Sequence, residues 1–194
     1  MDKYISTLNR IEPLANEDIV ALNKLRQFAS HLFLRKGEYL VSQGDIFDFE
    51  GYVNHGMLRQ FLMDNNDNEK ILRFHLEESF IFDMDSCHKQ EPIEYSIQAL
   101  EDCDLTIIKA TDSCDIASQL PSYEKIAMKI MDCIIRDQQD HLSMLVKLAP
   151  EDRYVYLMKN NPELVQRLSI THLAQYIGIT RETLSRIRRK ICTT

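Results

Sequence analysis

The last helix-sized segment of the chain places arginines and a glutamate at a spacing that could read DNA bases. The residues that project from one side of a predicted helix are Arg181, Glu182, Ser185, Arg188 and Arg189, and Leu184 and Ile187 lie on the other side. An arginine can donate two hydrogen bonds to guanine O6 and N7, and a glutamate can accept one from cytosine N4. The pattern therefore predicts a helix that packs through its apolar face and presents its polar face to the major groove.

The distribution of charge along the chain agrees with this interpretation, although the total charge does not. The 194-residue chain has a formal net charge of −7, which by itself argues against a nucleic-acid partner. Residues 161–194 carry +4, however, and residues 1–160 carry −11. The split predicts an acidic body with a basic tip. A solvated helix C-terminus would also favour such cations, because they suit the helix dipole.

Two short helices separated by a tight turn are predicted for residues 169–190. Ala174 would allow the helices to cross closely, Gly178 would permit the turn, and Leu184 and Ile187 would fill the angle between the helices. Thr180 could cap the second helix through its hydroxyl. This spacing is typical of a DNA-binding helix-turn-helix. A helical hairpin with a solvated basic face is the alternative that spacing alone leaves open.

The elements that must carry this tip are predicted from hydrophobic periodicity. Residues 1–30 show helical spacing, and residues 32–109 contain short apolar runs separated by turn signals such as Lys36-Gly37 and His55-Gly56. Several short strands at close intervals predict an antiparallel barrel or roll. The fold class is therefore α+β.

Residues 121–148 contain no Gly or internal Pro after Pro121 and predict one long helix. The helix is apolar on two sides, so it needs two partners, of which the second could be another copy of the chain. The stripe assigned to a dimer interface is Ile126, Ile130, Cys133, Met144 and Leu148. A helix buried within one large core is the alternative. The predicted domains are residues 1–120, 121–148 and 149–194.

Composition and motifs argue against several other classes of protein. No apolar run approaches the roughly 20 residues that a transmembrane helix needs, and the N-terminus has no secretion signal. Five widely spaced cysteines suggest reduced thiols in the cytoplasm. The six histidines are scattered and predict no metal site. No phosphate-binding loop, dinucleotide fingerprint or nucleophile elbow occurs, so an enzyme is not expected.

The sequence TRETLSRI at residues 180–187 resembles the recognition helix of the Crp/Fnr family of bacterial transcription regulators. KGEYLVSQGD at residues 36–45 and GMLR at residues 56–59 resemble the turns and a strand of the family's β-roll. SRIRRK at residues 185–190 looks most like the branch common in Bacteroidota. The resemblance implies a cyclic-nucleotide-binding-like β-roll, a dimerisation helix and a C-terminal winged helix-turn-helix.

The resemblance also implies roles for individual residues. Base reading would fall to Arg181, Glu182 and Arg186. Phosphate contacts would fall to Ser169, Thr171 and Thr183, and the exposed helix face extends that set to Ser185, Arg188, Arg189 and Lys190. Only four residues follow Lys190, so a wing would lie before Ser169 or be rudimentary.

The segment that would hold a cyclic nucleotide departs from the family pattern. FIFD at residues 80–83 replaces Phe-x-Gly-Glu, and no arginine occurs between Arg73 and Arg136 to neutralise a cyclic phosphate. We therefore expect no tight binding of cyclic AMP or cyclic GMP, and the sequence identifies no cofactor. The residues assigned to an effector pocket are Phe80, Phe82, Asp83, Tyr95 and Ser96.

The sequence thus predicts a cytoplasmic, homodimeric regulator that binds double-stranded promoter DNA. An unidentified small-molecule effector and RNA polymerase are its expected further partners, and no membrane is expected to be one. The alternative is a ligand-binding or protein-interaction module with a vestigial DNA-binding tip.

Overall fold

The computed structural model describes residues 2–11, 13–112, 115 and 121–192. Its helices are α1 (Asp2–Ile11), α2 (Asn16–Leu25), α3 (Met84–Lys89), α4 (Pro121–Lys147), α5 (Pro150–Asn160), α6 (Pro162–Arg167), α7 (Ile170–Tyr176) and α8 (Arg181–Cys192). Its strands are β1 (Ser30–Leu34), β2 (Tyr39–Val41), β3 (Phe49–His55), β4 (Leu58–Met63), β5 (Glu69–His75), β6 (Phe80–Ile81), β7 (Ser96–Ala99) and β8 (Cys103–Lys109). Within these ranges, no helix is long and apolar enough to cross a membrane.

Two antiparallel four-stranded sheets form the predicted roll, in the orders β1-β8-β3-β6 and β2-β7-β4-β5. Alternate residues of a strand point to opposite faces of its sheet, so β8 directs Leu105 to the roll interior and Ile108 to the outer surface. The interior is filled by one cluster of buried side chains: Leu34, Val41, Phe47, Val53, Leu58, Ile81, Ile93, Ile97, Ala99, Cys103 and Leu105. The α+β class and the antiparallel roll are confirmed.

The turn before β4 requires glycine for two independent reasons. Gly56 has φ +94°, a left-handed backbone conformation that residues with a side chain rarely adopt. A Cβ at this position would lie 2.6 Å from Asp102 O and 2.6 Å from Cys103 Sγ. The β3–β4 connection is therefore fixed by close backbone approach to the start of β8.

Helices α1, α2 and α4 cover the outer face of the β1-β8-β3-β6 sheet. The rings of Tyr4, Tyr52 and Phe80 meet with centroids 5.3 Å apart in each pair. Leu8 and Leu22 complete this cluster and are fully buried. Such burial stabilises each aliphatic side chain by about 1.5–3 kcal/mol, which holds α1 and α2 against the sheet.

The faces of α4 differ from the sequence prediction. Ile126 and Met144, assigned to a dimer stripe, are buried against the chain itself, and Ile130 and Leu148 pack at the edges of the same clusters. Cys133 is half-buried. Ile126 and Met144 therefore do not belong to an exposed dimer face, because they are buried within their own chain, whereas the assignment of Cys133 to such a face stays a prediction.

The exposed apolar face of α4 is the other one. Met128, Ile135, Leu142 and Val146 are 73%, 43%, 61% and 75% exposed. Met128, Ile135 and Leu142 recur every seven residues, so they lie along one line of the helix. Both faces of α4 are apolar, and only the position of the roll determines which of them stays exposed.

The four C-terminal helices pack on the β4–β5 hairpin. Phe61, Ile71 and Phe74 of the hairpin join buried residues of α5 to α8 in one core. Residues 149–192 contain helices and no strand, so the predicted wing has no counterpart in this part of the chain. The domain boundary near Ala149 falls between α4 and α5, and the boundary at residue 120 lies outside the described residues.

Candidate nucleic-acid interface

Side-chain caps define the starts of α7 and α8, and the sequence predicts the one at α8. Ser169 Oγ accepts a hydrogen bond from His172 N at 3.1 Å, and Thr180 Oγ1 accepts one from Thr183 N at 3.2 Å. Gly178 turns the chain between the helices with φ +70°. Each cap satisfies an amide that would otherwise be unpaired, and such a cap is worth about 1 kcal/mol.

The buried face of the two helices matches the predicted steric pattern. Leu173, Ala174 and Ile177 of α7 and its turn are buried, and so are Leu184 and Ile187 of α8. The small Ala174 lies in the core that holds α8 against α7. The two helices therefore form the helix-turn-helix that the spacing indicates.

The opposite face of α8 presents the predicted base-reading residues. Arg181, Glu182 and Arg186 are all exposed. Arg181 and Glu182 occupy the first turn, the part of a recognition helix that reaches base edges. The structure thus brings these three side chains together on one accessible surface, which we call the reading face.

The predicted phosphate-contacting residues fall into two groups. Thr171 and Arg189 are exposed, and Ser185 is half-exposed beside the reading face. Ser169 and Thr183 take part in the helix caps, so their hydroxyl groups also serve the fold. A capping hydroxyl that accepts from the backbone can still donate to a phosphate oxygen.

Arg188 and Lys190 contact the chain itself. Lys190 Nζ lies 2.9 Å and 3.0 Å from the two carboxylate oxygens of Glu151 at the start of α5. The guanidinium of Arg188 lies 5.5 Å from the centre of the Tyr154 ring. These contacts attach α8 to α5, so both cationic side chains take part in packing within the chain.

Sequence reasoning missed Arg153, which joins three parts of this region. Its guanidinium donates to Leu148 O at 2.9 Å, Leu145 O at 2.8 Å and Ile177 O at 2.8 Å. Leu145 is in the last turn of α4, Leu148 directly follows that helix, and Ile177 is in the turn of the helix-turn-helix. The arginine therefore fixes the reading face to the end of α4. A cation in the first turn of α5, where the helix dipole favours anions, was the signal in the sequence.

His141 makes a second link between α4 and the helix-turn-helix. Its Nε2 donates to Tyr176 O at 2.9 Å, and its ring stacks on the Tyr176 ring with centroids 3.9 Å apart. Burial lowers the pKa of His141 below its usual value, so the ring is neutral at pH 7. This stack holds the end of α7 against α4 without adding charge.

Arg167 connects the helical region to the roll through carboxylates. Its guanidinium binds Glu77 at 2.7 Å, Glu101 at 2.6 Å and Glu163 at 2.7 Å. Burial alone would raise the pKa of Glu77, but hydrogen bonds from Arg167 and from the Gly56 amide lower it to about 2. Because Glu77 and Glu101 belong to the roll and Arg167 ends α6, this cluster ties the two domains together.

We expect Arg167→Met to shift acid unfolding to higher pH. A carboxyl whose folded pKa is depressed stabilises the fold above its ordinary pKa, and that stability is lost as pH falls through the folded value. For Glu77 the loss occurs between pH 4.5 and about 2. Without Arg167 the Glu77 pKa returns toward its ordinary value, so unfolding followed by circular dichroism starts at higher pH. Arg35→Met, an exposed arginine on the roll, is the control. If Arg167→Met and Arg35→Met unfold in acid at the same midpoint pH, the role of Arg167 in lowering the Glu77 pKa is contradicted.

The five residues assigned to an effector pocket do not form one site. Asp83 caps α3 by accepting from Ser86 N at 2.8 Å, and its other oxygen accepts from Tyr95 Oη at 2.8 Å. Ser96 Oγ accepts from Gln43 N at 2.9 Å. Phe80 and Phe82 instead line a cavity outside the roll, beneath α1 and α4. The polar side chains Asp83, Tyr95 and Ser96 thus form hydrogen bonds within the roll domain, whereas Phe80 and Phe82 face the cavity outside the roll.

Metal binding finds no support in the described part of the chain, where no group of three or more His, Cys, Asp or Glu side chains could hold an ion. Burial also raises the pKa of the thiols that the structure describes in the roll, to about 12 for Cys87 and about 11 for Cys103. Both thiols are therefore protonated at neutral pH.

Comparison with known proteins agrees with both halves of the structure. A family model described as "Cyclic nucleotide-binding domain" matches residues 31–118. The chain is 29% identical to the transcriptional activator protein Anr of Pseudomonas protegens over 182 residues, which is 88% of this chain and 73% of that protein. It is 28% identical over 167 residues to the anr activator of Pseudomonas aeruginosa, covering 79% of this chain and 67% of that protein.

Solved structures show the same fold over most of the chain. FixK2 from Bradyrhizobium japonicum has a TM-score of 0.73 at 18% identity, with 85% of each chain covered. The c-di-GMP-responsive regulator CLP of Xanthomonas campestris has a TM-score of 0.71 at 19% identity, with 90% of this chain and 92% of that chain covered. The chain therefore has the fold of these solved structures, its residues 31–118 match the cyclic nucleotide-binding domain, and most of its length is similar to transcriptional activators of the Anr type.

Proposed function

We propose that this chain is a transcription regulator of the Crp/Fnr type, which binds promoter DNA as a homodimer and reads bases with the first turns of α8. The observation that carries the proposal is the reading face, in which Arg181, Glu182 and Arg186 are exposed on a capped helix of a helix-turn-helix. The basic tail draws this face toward phosphates, and the acidic body is repelled from them. Transcriptional regulation by the similar activators supports the same role.

The exposed face of α4 supports the homodimer. Met128, Ile135 and Leu142 form a seam with a seven-residue repeat, the spacing at which two helices wind around each other. A two-fold axis along this seam would bury all three side chains in both copies. The two reading faces would then enter successive major grooves about 34 Å apart, so the operator is expected to be a palindrome.

A cyclic nucleotide is not proposed as the effector. The interior of the roll, which is formed by residues that the cyclic nucleotide-binding domain model matches, is filled by Phe47, Ile93 and Ile97 among other buried side chains. Asp83 and Tyr95 are bonded to each other rather than turned toward a ligand. No cofactor is proposed, and the dimer is expected to act in the cytoplasm together with RNA polymerase and in response to another small molecule.

We expect Arg181→Ala to weaken binding to the preferred operator by about 1–3 kcal/mol and to relax the base preference at one position of each half-site. Fluorescence anisotropy on duplexes selected from a random pool measures both effects. Arg35→Ala removes an exposed arginine from the roll and is expected to bind as the parent does. If Arg181→Ala binds the operator with the affinity and base selectivity of the parent, the assignment of α8 to base reading is contradicted. Absence of any sequence-selective binding by the parent would favour the ligand-binding or protein-interaction module instead.

A further inference from the structure

A cavity of about 290 Å³ lies outside the roll, between the β1-β8-β3-β6 sheet and helices α1 and α4. Its floor is the aromatic cluster of Tyr4, Tyr52 and Phe80, and its helical wall includes Ala127 and Ile130. We propose that this cavity is the binding site for a small, uncharged, predominantly apolar molecule.

The size of the cavity suits such a ligand. Small-molecule sites typically occupy about 300–1,000 Å³, and an apolar cavity of about 150 Å³ already accommodates benzene. A space of about 290 Å³ is therefore large enough for two or three fused or linked aromatic rings or a short branched acyl chain. Aromatic rings around it offer edge and face contacts that favour a planar ligand.

The chemistry of the walls excludes an anionic ligand. Among the described residues that line the cavity, none is Lys, Arg or His, whereas Glu50 and Glu124 contribute carboxylates. An anion would lose its hydration without gaining a cationic partner and would be repelled by these two groups. A cyclic nucleotide or a phosphate ester therefore does not fit.

The Cys87 thiol in the wall does not change this chemistry. Cys87 Sγ donates to Phe47 O at 3.1 Å, which holds the thiol in its protonated form. Burial raises the pKa of Cys87 to about 12, so a thiolate does not form at neutral pH. The site is accordingly one for reversible, noncovalent binding.

Ligand binding in this cavity would reach α4 directly. Ala127, Ile130 and Met131 form its wall on the same helix that carries Met128 and Ile135 of the proposed seam. A ligand that fills the cavity would fix the first half of α4 against the roll. The effect on DNA affinity rests on the proposed function, whereas binding of the ligand itself does not.

Two probes with the same aromatic skeleton test the site in the full-length protein. N-phenyl-1-naphthylamine is uncharged and apolar, and 8-anilinonaphthalene-1-sulfonate adds one sulfonate to that skeleton. We expect fluorescence titration to give saturable binding of the uncharged probe and at least about ten-fold weaker binding of the sulfonate, the factor that corresponds to 1.4 kcal/mol.

Cavity-filling variants locate the binding. Ala127→Phe places a ring in the cavity from α4, and Ala110→Phe does so from the end of β8, so one variant remains if the other fails to fold. Each variant is expected to bind the uncharged probe at least about ten-fold more weakly than the parent does. Ala149→Phe makes the same change at an exposed position outside the cavity and is expected to bind the probe as the parent does.

Equal binding of the two probes, no binding of the uncharged probe, or parental binding in a folded cavity-filling variant would each overturn the proposal. Loss of operator binding in a protein that still binds the uncharged probe would instead count against the proposed function. The two proposals therefore fail separately.

Discussion

Leu142→Asp is expected to convert the dimer into monomers and to reduce affinity for the palindromic operator by about 10²–10⁴-fold. Leu142 is 61% exposed in the single chain and lies in the seam with Ile135 and Met128. Two aspartates facing each other across a two-fold seam would be desolvated and repel one another. Without the dimer, the second half-site is no longer bound intramolecularly, which removes the gain in affinity that linkage provides.

Sedimentation velocity and anisotropy on full and half operators measure these effects. Val20→Asp makes a comparable change at a residue of α2 that is 56% exposed, and this control is expected to remain a dimer. Binding to an isolated half-site should be similar in the Leu142→Asp variant and in the parent under monomeric conditions. A dimeric Leu142→Asp protein with parental affinity would show that the seam lies elsewhere.

Arg153→Ala is expected to lower the free energy of unfolding by about 2–4 kcal/mol and the melting temperature by about 5–15 °C. The guanidinium donates to three carbonyl oxygens, and truncation leaves the acceptors on the half-buried Leu145 and Leu148 and on the buried Ile177 without this donor. Because two of these carbonyl groups are at or just after the end of α4 and one is in the turn of the helix-turn-helix, operator affinity should fall as well. Differential scanning calorimetry and anisotropy measure the two losses.

Two variants separate geometry from charge in this prediction. Arg153→Lys keeps the charge but cannot reach three acceptors with a planar fork, so it is expected to be intermediate. Lys159→Ala removes an exposed cation from the same helix and should melt within about 2 °C of the parent. A melting temperature of Arg153→Ala equal to that of Lys159→Ala would contradict the role of Arg153 as a link.

Local features of the sequence were sufficient to predict the helix-turn-helix. Gly178 adopts the left-handed conformation that its position in the turn requires, Thr180 caps α8, and Leu184 is fully buried. Each of these features depends on residues within one or two turns of helix, so spacing alone carries the information. The antiparallel roll was predictable for the same reason, because strand periodicity and turn residues are local.

Long-range pairs were not predictable in this way. Lys190 and Arg188 belong to the basic stripe in sequence, yet they contact Glu151 and Tyr154 of another helix. Arg167 binds Glu77, which is 90 positions away in the chain. Nothing local distinguishes these cations from the exposed Arg181 and Arg186, so only the packing of α5 against α8 showed which cations form contacts within the chain and which stay exposed.

The sequence by itself determined the order of elements, the helix-turn-helix and its polar face, since these follow from backbone conformation and periodicity. Tertiary structure alone decided which apolar face of α4 remains exposed, because both faces have helical spacing and the roll covers only one. It also decided that Phe80 and Phe82 face a cavity outside the roll while Asp83 supports α3. Contacts between distant side chains depend on how whole helices and sheets pack, and no local spacing of residues in the sequence specifies that packing.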